Sequence, residues 1–135
     1  MASPQQSKRI GLKGENVFVR GVQAYLKRRV ERRRLQGALD QGDVAGWDGV
    51  CVEVKAGRQW NIPDWLRQLE KETQNAGADI GFIAVLMHGR PNFEQMVAIM
   101  PMPEFMELMV DAGWADHLPG QGPVAEIAEQ GDTHG

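Results

Sequence analysis

The stretch Val50-Cys-Val-Glu-Val-Lys narrows the choice of fold more than any other. Val50, Val52 and Val54 alternate with Cys51, Glu53 and Lys55, and a period of two marks a β-strand with two unlike faces. The valines build a core face. The other face carries a carboxylate and an ammonium in a strand otherwise made for burial. Upstream, Gly42-Asp-Val-Ala-Gly-Trp-Asp-Gly reads as a partner strand and a turn. A three-residue loop at Trp47-Asp48-Gly49 sets Gly46 opposite Val50, Val44 opposite Val52 and Asp43 opposite Glu53, with Gly49 in the left-handed position such loops require. Directly opposed residues share a face, about 5 Å apart at Cβ. A loop one residue longer or shorter would separate them onto opposite faces.

Two carboxylates side by side repel unless one is protonated or a cation lies between them. Asp43 and Glu53 are therefore expected to ligate Mg²⁺, with Mn²⁺ as a substitute, because hard cations take oxygen ligands. The Val54 carbonyl is a candidate to complete the shell. Lys55 points into the same site, where it can orient an attacking water or stabilise charge building on phosphorus.

The rest of the chain predicts helices around that hairpin. From Gly14 to about Arg32, the positions Glu15, Val19, Val22, Leu26 and Val30 share one helical face. Glu15 ends an otherwise apolar stripe, so it must be paired, hydrogen-bonded or bound to a cation there, or stay wet in the first turn, where a carboxylate favours the helix dipole. Asn61 is an N-cap with Pro63 in the first turn, and the helix runs to about Ala76 with Gly77 closing it. Its inward stripe is Ile62, Trp65 or Leu66, Leu69, Thr73 and Ala76, with Gln68 near the boundary. Ile80 to Met87 is a continuous apolar run, read as a central strand buried on both faces. A turn at His88 to Asn92 leads to a strand over Gln95 to Met100, antiparallel to it. A helix starting at Pro103 ends at Gly113. The fold class is α/β, a mixed β-sheet flanked by helices in the order α-β-β-α-β-β-α. Residues 1–12 read as a basic arm, 13–113 as the domain, and 114–135 as an acidic, disordered tail.

Charge is distributed unevenly. Ten of the fifteen Lys and Arg lie in residues 1–34, against two acidic residues, whereas residues 91–135 hold eight Asp and Glu and no Lys or Arg. That asymmetry suggests a nucleic-acid-facing end. Lys8, Arg9 and Lys13, the run Arg28, Arg29, Arg32, Arg33 and Arg34, and Arg58 after Lys55 are the candidate DNA contacts, since the Arg fork matches phosphate; a solubilising face is the plainer reading of the run. Trp47 is placed either to stack on a base or to cap the core. His88 reads as a solvent-exposed loop residue, and Cys51 as a small space-filler. One cysteine excludes an intrachain disulfide and a cysteine zinc site. No apolar stretch is long enough to span a membrane and no signal-peptide core is present, so the expected compartment is the cytoplasm.

Asp43 followed by Glu53-Val54-Lys55 resembles the motif of the PD-(D/E)XK nuclease superfamily, an Asp on one strand and Glu-x-Lys on the next. Gly42 stands where the superfamily name has Pro. Glu15 sits on the preceding helix as the extra acidic residue does in archaeal-type Holliday-junction resolvases. Gly42 to Gly46, the Asn61-Ile-Pro-Asp-Trp-Leu-Arg-Gln-Leu-Glu segment and Val97 to Met109 also resemble small phage proteins described as resolvases. Gln68 matches a helix-borne Gln found after the Lys in several branches. The resemblance covers roughly residues 8–112. It implies a restriction-endonuclease-like fold and a Mg²⁺-dependent DNA endonuclease acting on four-way junctions in a bacterial host's cytoplasm. Glu15, Asp43, Glu53, Lys55 and Gln68 would be its catalytic residues, with Asp43, Glu53, Val54 and Glu15 around the metal. It also implies a homodimer, because a four-way junction takes two symmetric cuts. Met96 to Met109 is a candidate dimer surface, with core packing the plainer reading. The same chemistry on flap, nicked or linear DNA is the alternative, and a non-catalytic DNA-binding module on a nuclease-like fold is the third.

Overall fold

Ser3 opens the first helix. Its hydroxyl accepts from the Gln6 N–H at 3.1 Å, and the Gln6 side-chain oxygen accepts from the Ser3 N–H at 3.0 Å. This reciprocal capping box, followed by Pro4 in the first turn, starts α1 at Pro4–Leu26. The computed structural model describes residues 3–26, 28–34 and 39–120. The expected basic arm is thus the first turns of α1, and the helix ends six residues before the expected Arg32.

The early end has a visible cause. Val30 is 2% exposed, anchored in the core outside any helix, and its carbonyl accepts from the Gln23 side chain at 2.9 Å. Burying Val30 releases Glu31–Arg32 to form β1, which pairs antiparallel with β2, Val44–Ala45, in a two-stranded sheet. Leu26, expected on the inward stripe, is exposed instead. Lys27 lies outside the described residues.

A second, mixed sheet runs β3-β4-β5, with β3 at Val50–Gly57, β4 at Ile80–Met87 and β5 at Val97–Ile99. β3 and β4 are parallel, joined by α2 at Ile62–Ala76, and β5 is antiparallel to β4 after a 3₁₀ turn at Phe93–Gln95. α2 begins as expected, with the Asn61 side chain accepting from Asp64 N–H, and closes at Gly77. β4 keeps the bounds its apolar run predicts.

The two faces of the sheet carry two cores. Phe18, Val19 and Val22 of α1 pack with Val30, Val44, Val52, Val54 and Ala84 on one face. Cys51, Ile83 and Val85 pack with Leu69 of α2 on the other. Gly21 lets α1 come close, because a Cβ there would fall inside the Phe93 ring. Trp47 caps the first core, edge-on to Phe82 with centroids 6.1 Å apart.

The expected β-hairpin is altered. Val50 N–H donates to the Trp47 carbonyl, closing a turn in which Gly49 takes φ +79°. Beyond the turn β2 pairs with β1, not with β3, and what joins this segment to β3 is the Asp43 N–H bond to the Val52 carbonyl at 2.8 Å. Asp43 therefore does not face Glu53 across a regular ladder. It sits against the free edge of β3.

The described residues from Met100 onward form a separate unit. It contains α3, Met102–Asp111, which caps at Ala112 just before Gly113, and the His117 ring reaches both Glu107 carboxylate oxygens at 3.0 Å. Met102, Phe105, Met106 and Leu108 of α3 are exposed. Trp114 to Gly120 is irregular, and the acidic tail beyond it lies outside the described residues. No helix among the described residues is long and apolar enough to cross a membrane.

Candidate functional site

Asp43 is fixed by the edge of β3. Its carboxylate accepts the Val54 N–H at 2.7 Å, and its own carbonyl accepts the Arg33 N–H at 2.8 Å. The exposed edge of a sheet offers unpaired N–H groups, and here one of them aims a carboxylate. From that edge Asp43 comes within hydrogen-bonding reach of Glu15 on α1 and of Glu53 on β3. Asp43 and Glu53 are thus neighbours, as the sequence predicts, through an edge contact and not through strand pairing.

Glu53 lies on the α2 face of β3 and is 5% exposed. Lys55, on the same face, places Nζ 3.4 Å from Glu53 Oε1 and donates to Gln68 Oε1 at 2.9 Å. The Gln68 amide nitrogen donates to Glu53 Oε1 at 3.2 Å and to Glu72 Oε1 at 2.8 Å. Glu53, Lys55 and Gln68 therefore form one connected group.

Glu72 was not expected. It is 1% exposed, among the largest fully buried side chains. The sequence signal is that Trp65, Leu69, Glu72 and Ala76 follow helical spacing, so the inward stripe takes in Glu72 beside Thr73, which packs against Gly81 of β4. Asp40 adds a further negative charge near Glu72 and Asp43.

Crowding and burial raise all four carboxyls. Burial, then the charge of Asp43, holds Glu15 above the ordinary carboxylate range. Asp43 is raised by burial, against the Val54 N–H, a hydrogen bond with Glu53 and Lys55. Glu72 is raised by burial, against hydrogen bonds with Glu53 and Gln68. Burial, the hydrogen bond with Glu72 and the charge of Asp43 push Glu53 up to about 10. Two carboxylates are both acceptors, so Glu53 and Glu72 bond to each other only when one holds a proton. In the fully ionised form Glu53 Oε2 and Glu72 Oε2 are buried with no hydrogen-bond partner among the described residues. A cluster of this kind takes up either protons or a cation.

Asp43 and Glu53 supply hard oxygens, and the partnerless Glu53 Oε2 fits a small cation such as Mg²⁺, which binds through one or two carboxylates and keeps several waters. Among the described residues no group of three or more His, Cys, Asp or Glu side chains is arranged to hold a metal ion. The fit is therefore to a two-carboxylate site, with Glu15 held aside by Arg32 Nε at 3.4 Å.

The predicted DNA contacts fall into two sets. Lys8, Arg9 and Lys13 lie on α1, and Arg28, Arg29 and Arg34 are exposed in the segment after it. Arg32 is paired with Glu15. Arg33 is half-buried and turned inward, donating to Gln41 Oε1 at 3.2 Å and to the Val44 carbonyl at 3.1 Å. Arg58 is exposed just beyond β3. Cys51 fills space beneath Leu69, and its burial raises the thiol to about 11, so it is no nucleophile. His88 is exposed. Comparison with known proteins finds no matching family model, no matching curated protein and no matching solved structure.

Proposed function

We propose that the chain is a Mg²⁺-dependent DNA endonuclease that hydrolyses phosphodiesters in branched DNA, a Holliday-junction resolvase acting as a homodimer. The observation that carries this reading is the Lys55 ammonium, held between Glu53 Oε1 and Gln68 Oε1 on the strand whose edge fixes Asp43. A restriction-endonuclease-like core is part of the proposal: β3, α2, β4 and β5 would supply it, with α1 packed on one face.

A divalent cation at Asp43 and Glu53, completed by the Val54 carbonyl, would polarise a phosphoryl oxygen and acidify a bound water. The protein's own groups do the positioning. Gln68 spans Lys55, Glu53 and Glu72, so the ammonium is directed before substrate arrives. Lys55 then donates to the charge that develops on the phosphoryl oxygens, where preorganised donors act most strongly. Glu15, paired with Arg32 and beside Asp43, can accept a proton from water.

The same chemistry on flap or linear duplex DNA is separated by a cleavage panel in Mg²⁺: four-way junction, flap and linear duplex. Paired symmetric cuts in the junction support a resolvase, and preference for linear DNA removes it. A non-catalytic module is disfavoured by the complete set Glu15, Asp43, Glu53 and Lys55.

A further inference from the structure

The C-terminal ends of the parallel strands β3 and β4 open into a cleft of about 920 Å³ against the N-terminal half of α1. Ligands of α/β sheets gather outside the carboxyl ends of their strands. Lys13, Arg58, His88 and Arg90 line this cleft, and among the described residues no Asp or Glu does, although the chain as a whole is net negative. Lys13, Arg58 and Arg90 make no ion pair among the described residues. Ile10, Leu86 and Met87 give it an apolar floor. Cations without counterions over an apolar floor favour a ligand that brings repeated negative charge along with apolar surface.

The cleft begins at Ala56 and Gly57, next along β3 from Lys55, and it lies toward α1, on the face opposite the Lys55 side chain, where Lys13 is two residues from Glu15. The basic run after α1 is elsewhere, since Lys13 and Leu26 are separated by about 20 Å of helix. Arg32 and Arg33 of that run are already engaged.

We propose that this cleft, and not the Arg28–Arg34 run, holds the phosphodiester backbone of the strand flanking the carboxylate site, with Lys13, Arg58 and Arg90 as its phosphate contacts. The proposal rests on the nuclease reading for which strand is bound, but not for the binding itself. Its test is therefore made without cleavage. Anisotropy of a labelled single-stranded oligonucleotide of about 12 nucleotides is measured against the full chain in chelating buffer over a salt series.

Arg58→Ala and Arg90→Ala are expected to weaken binding roughly tenfold each and to lower the salt slope by about one per cation removed. Arg67→Ala, an exposed α2 residue outside the cleft, and Arg29→Ala are expected to leave both unchanged. Unaltered affinity in Arg58→Ala and Arg90→Ala overturns the proposal, as does a loss confined to Arg29→Ala. Inorganic phosphate competing as well as the unlabelled strand overturns it too, because the site would then recognise a free phosphate. If the cleft variants lose binding while the wild-type chain cuts no DNA in Mg²⁺, the cleft stands and the nuclease reading falls. If they bind normally while wild-type cleavage is Mg²⁺-dependent and Glu53→Gln abolishes it, the reverse holds.

Discussion

Glu53 of β3 and Glu72 of α2 share one amide nitrogen: Gln68 Nε2 donates to Glu53 Oε1 at 3.2 Å and to Glu72 Oε1 at 2.8 Å. A single neutral donor between two buried carboxyls cannot neutralise both charges. Lys55 Nζ, 3.4 Å from Glu53 Oε1, sets one positive charge beside the pair.

Stability without metal should therefore depend on pH. Glu53 has an ordinary value of 4.5 and is pushed up to about 10 in the fold, so the folded chain binds more protons than the unfolded chain between those limits. Stability is then greatest near and below 4.5 and is lost as pH rises toward 10. Glu72, Asp43 and Glu15, raised as well, add in the same direction. Thermal unfolding in chelating buffer from pH 5 to pH 9 is expected to show a falling Tm, and Mg²⁺ is expected to flatten the fall. A Tm that rises with pH contradicts this.

Glu72→Gln keeps the shape of the side chain and removes one of the two charges. The folded chain then no longer has to take up a proton on Glu53 beside a second carboxylate, so a stabilisation of about 1–3 kcal/mol is expected at pH 8 without metal. Denaturant unfolding checks it. A destabilisation would mean that the carboxylate of Glu72 is the form the fold requires.

Gly21→Ala tests how α1 meets the sheet. Its methyl would overlap the Phe93 ring, and Phe93 also touches Phe18 and Tyr25. Overpacking of this kind costs about 1–3 kcal/mol. Ile83→Ala, at a residue 0% exposed in the other core, should cost about 2–5 kcal/mol. Chemical denaturation of both variants reads the two cores separately.

Where local signals and packing agreed, the sequence was sufficient. Ile80–Met87 and Ile62–Ala76 have the bounds that an apolar run and a capped amphipathic pattern require. The closeness of Asp43 and Glu53 was also legible, but the reason given for it was not. An antiparallel hairpin was expected, whereas β2 is drawn to β1 by the burial of Val30, and Asp43 reaches β3 through a free N–H at its edge. That outcome depends on contacts between distant segments, which alternation within one strand cannot report. The start of α1 was available in Ser3-Pro-Gln-Gln and was obscured by the basic residues that follow. Glu72 was obscured because a carboxylate on an inward stripe is more often assigned to the wet side of a helix.

Gln68 should act through Lys55. Gln68→Ala removes the acceptor that directs the ammonium, so DNA cleavage is expected to fall about 10- to 100-fold with DNA affinity unchanged, the signature of lost preorganisation. Equal losses in cleavage and affinity would make Gln68 a structural residue instead.

The most direct measurement is cleavage of a four-way junction in Mg²⁺ by the wild-type chain, Glu53→Gln and Lys55→Ala, at matched folded concentration. The wild-type chain is expected to cut, and each variant to lose about 100-fold or more in rate, as expected when a group stabilising transition-state charge is removed. Cleavage by both variants at the wild-type rate would contradict the assignment of the site.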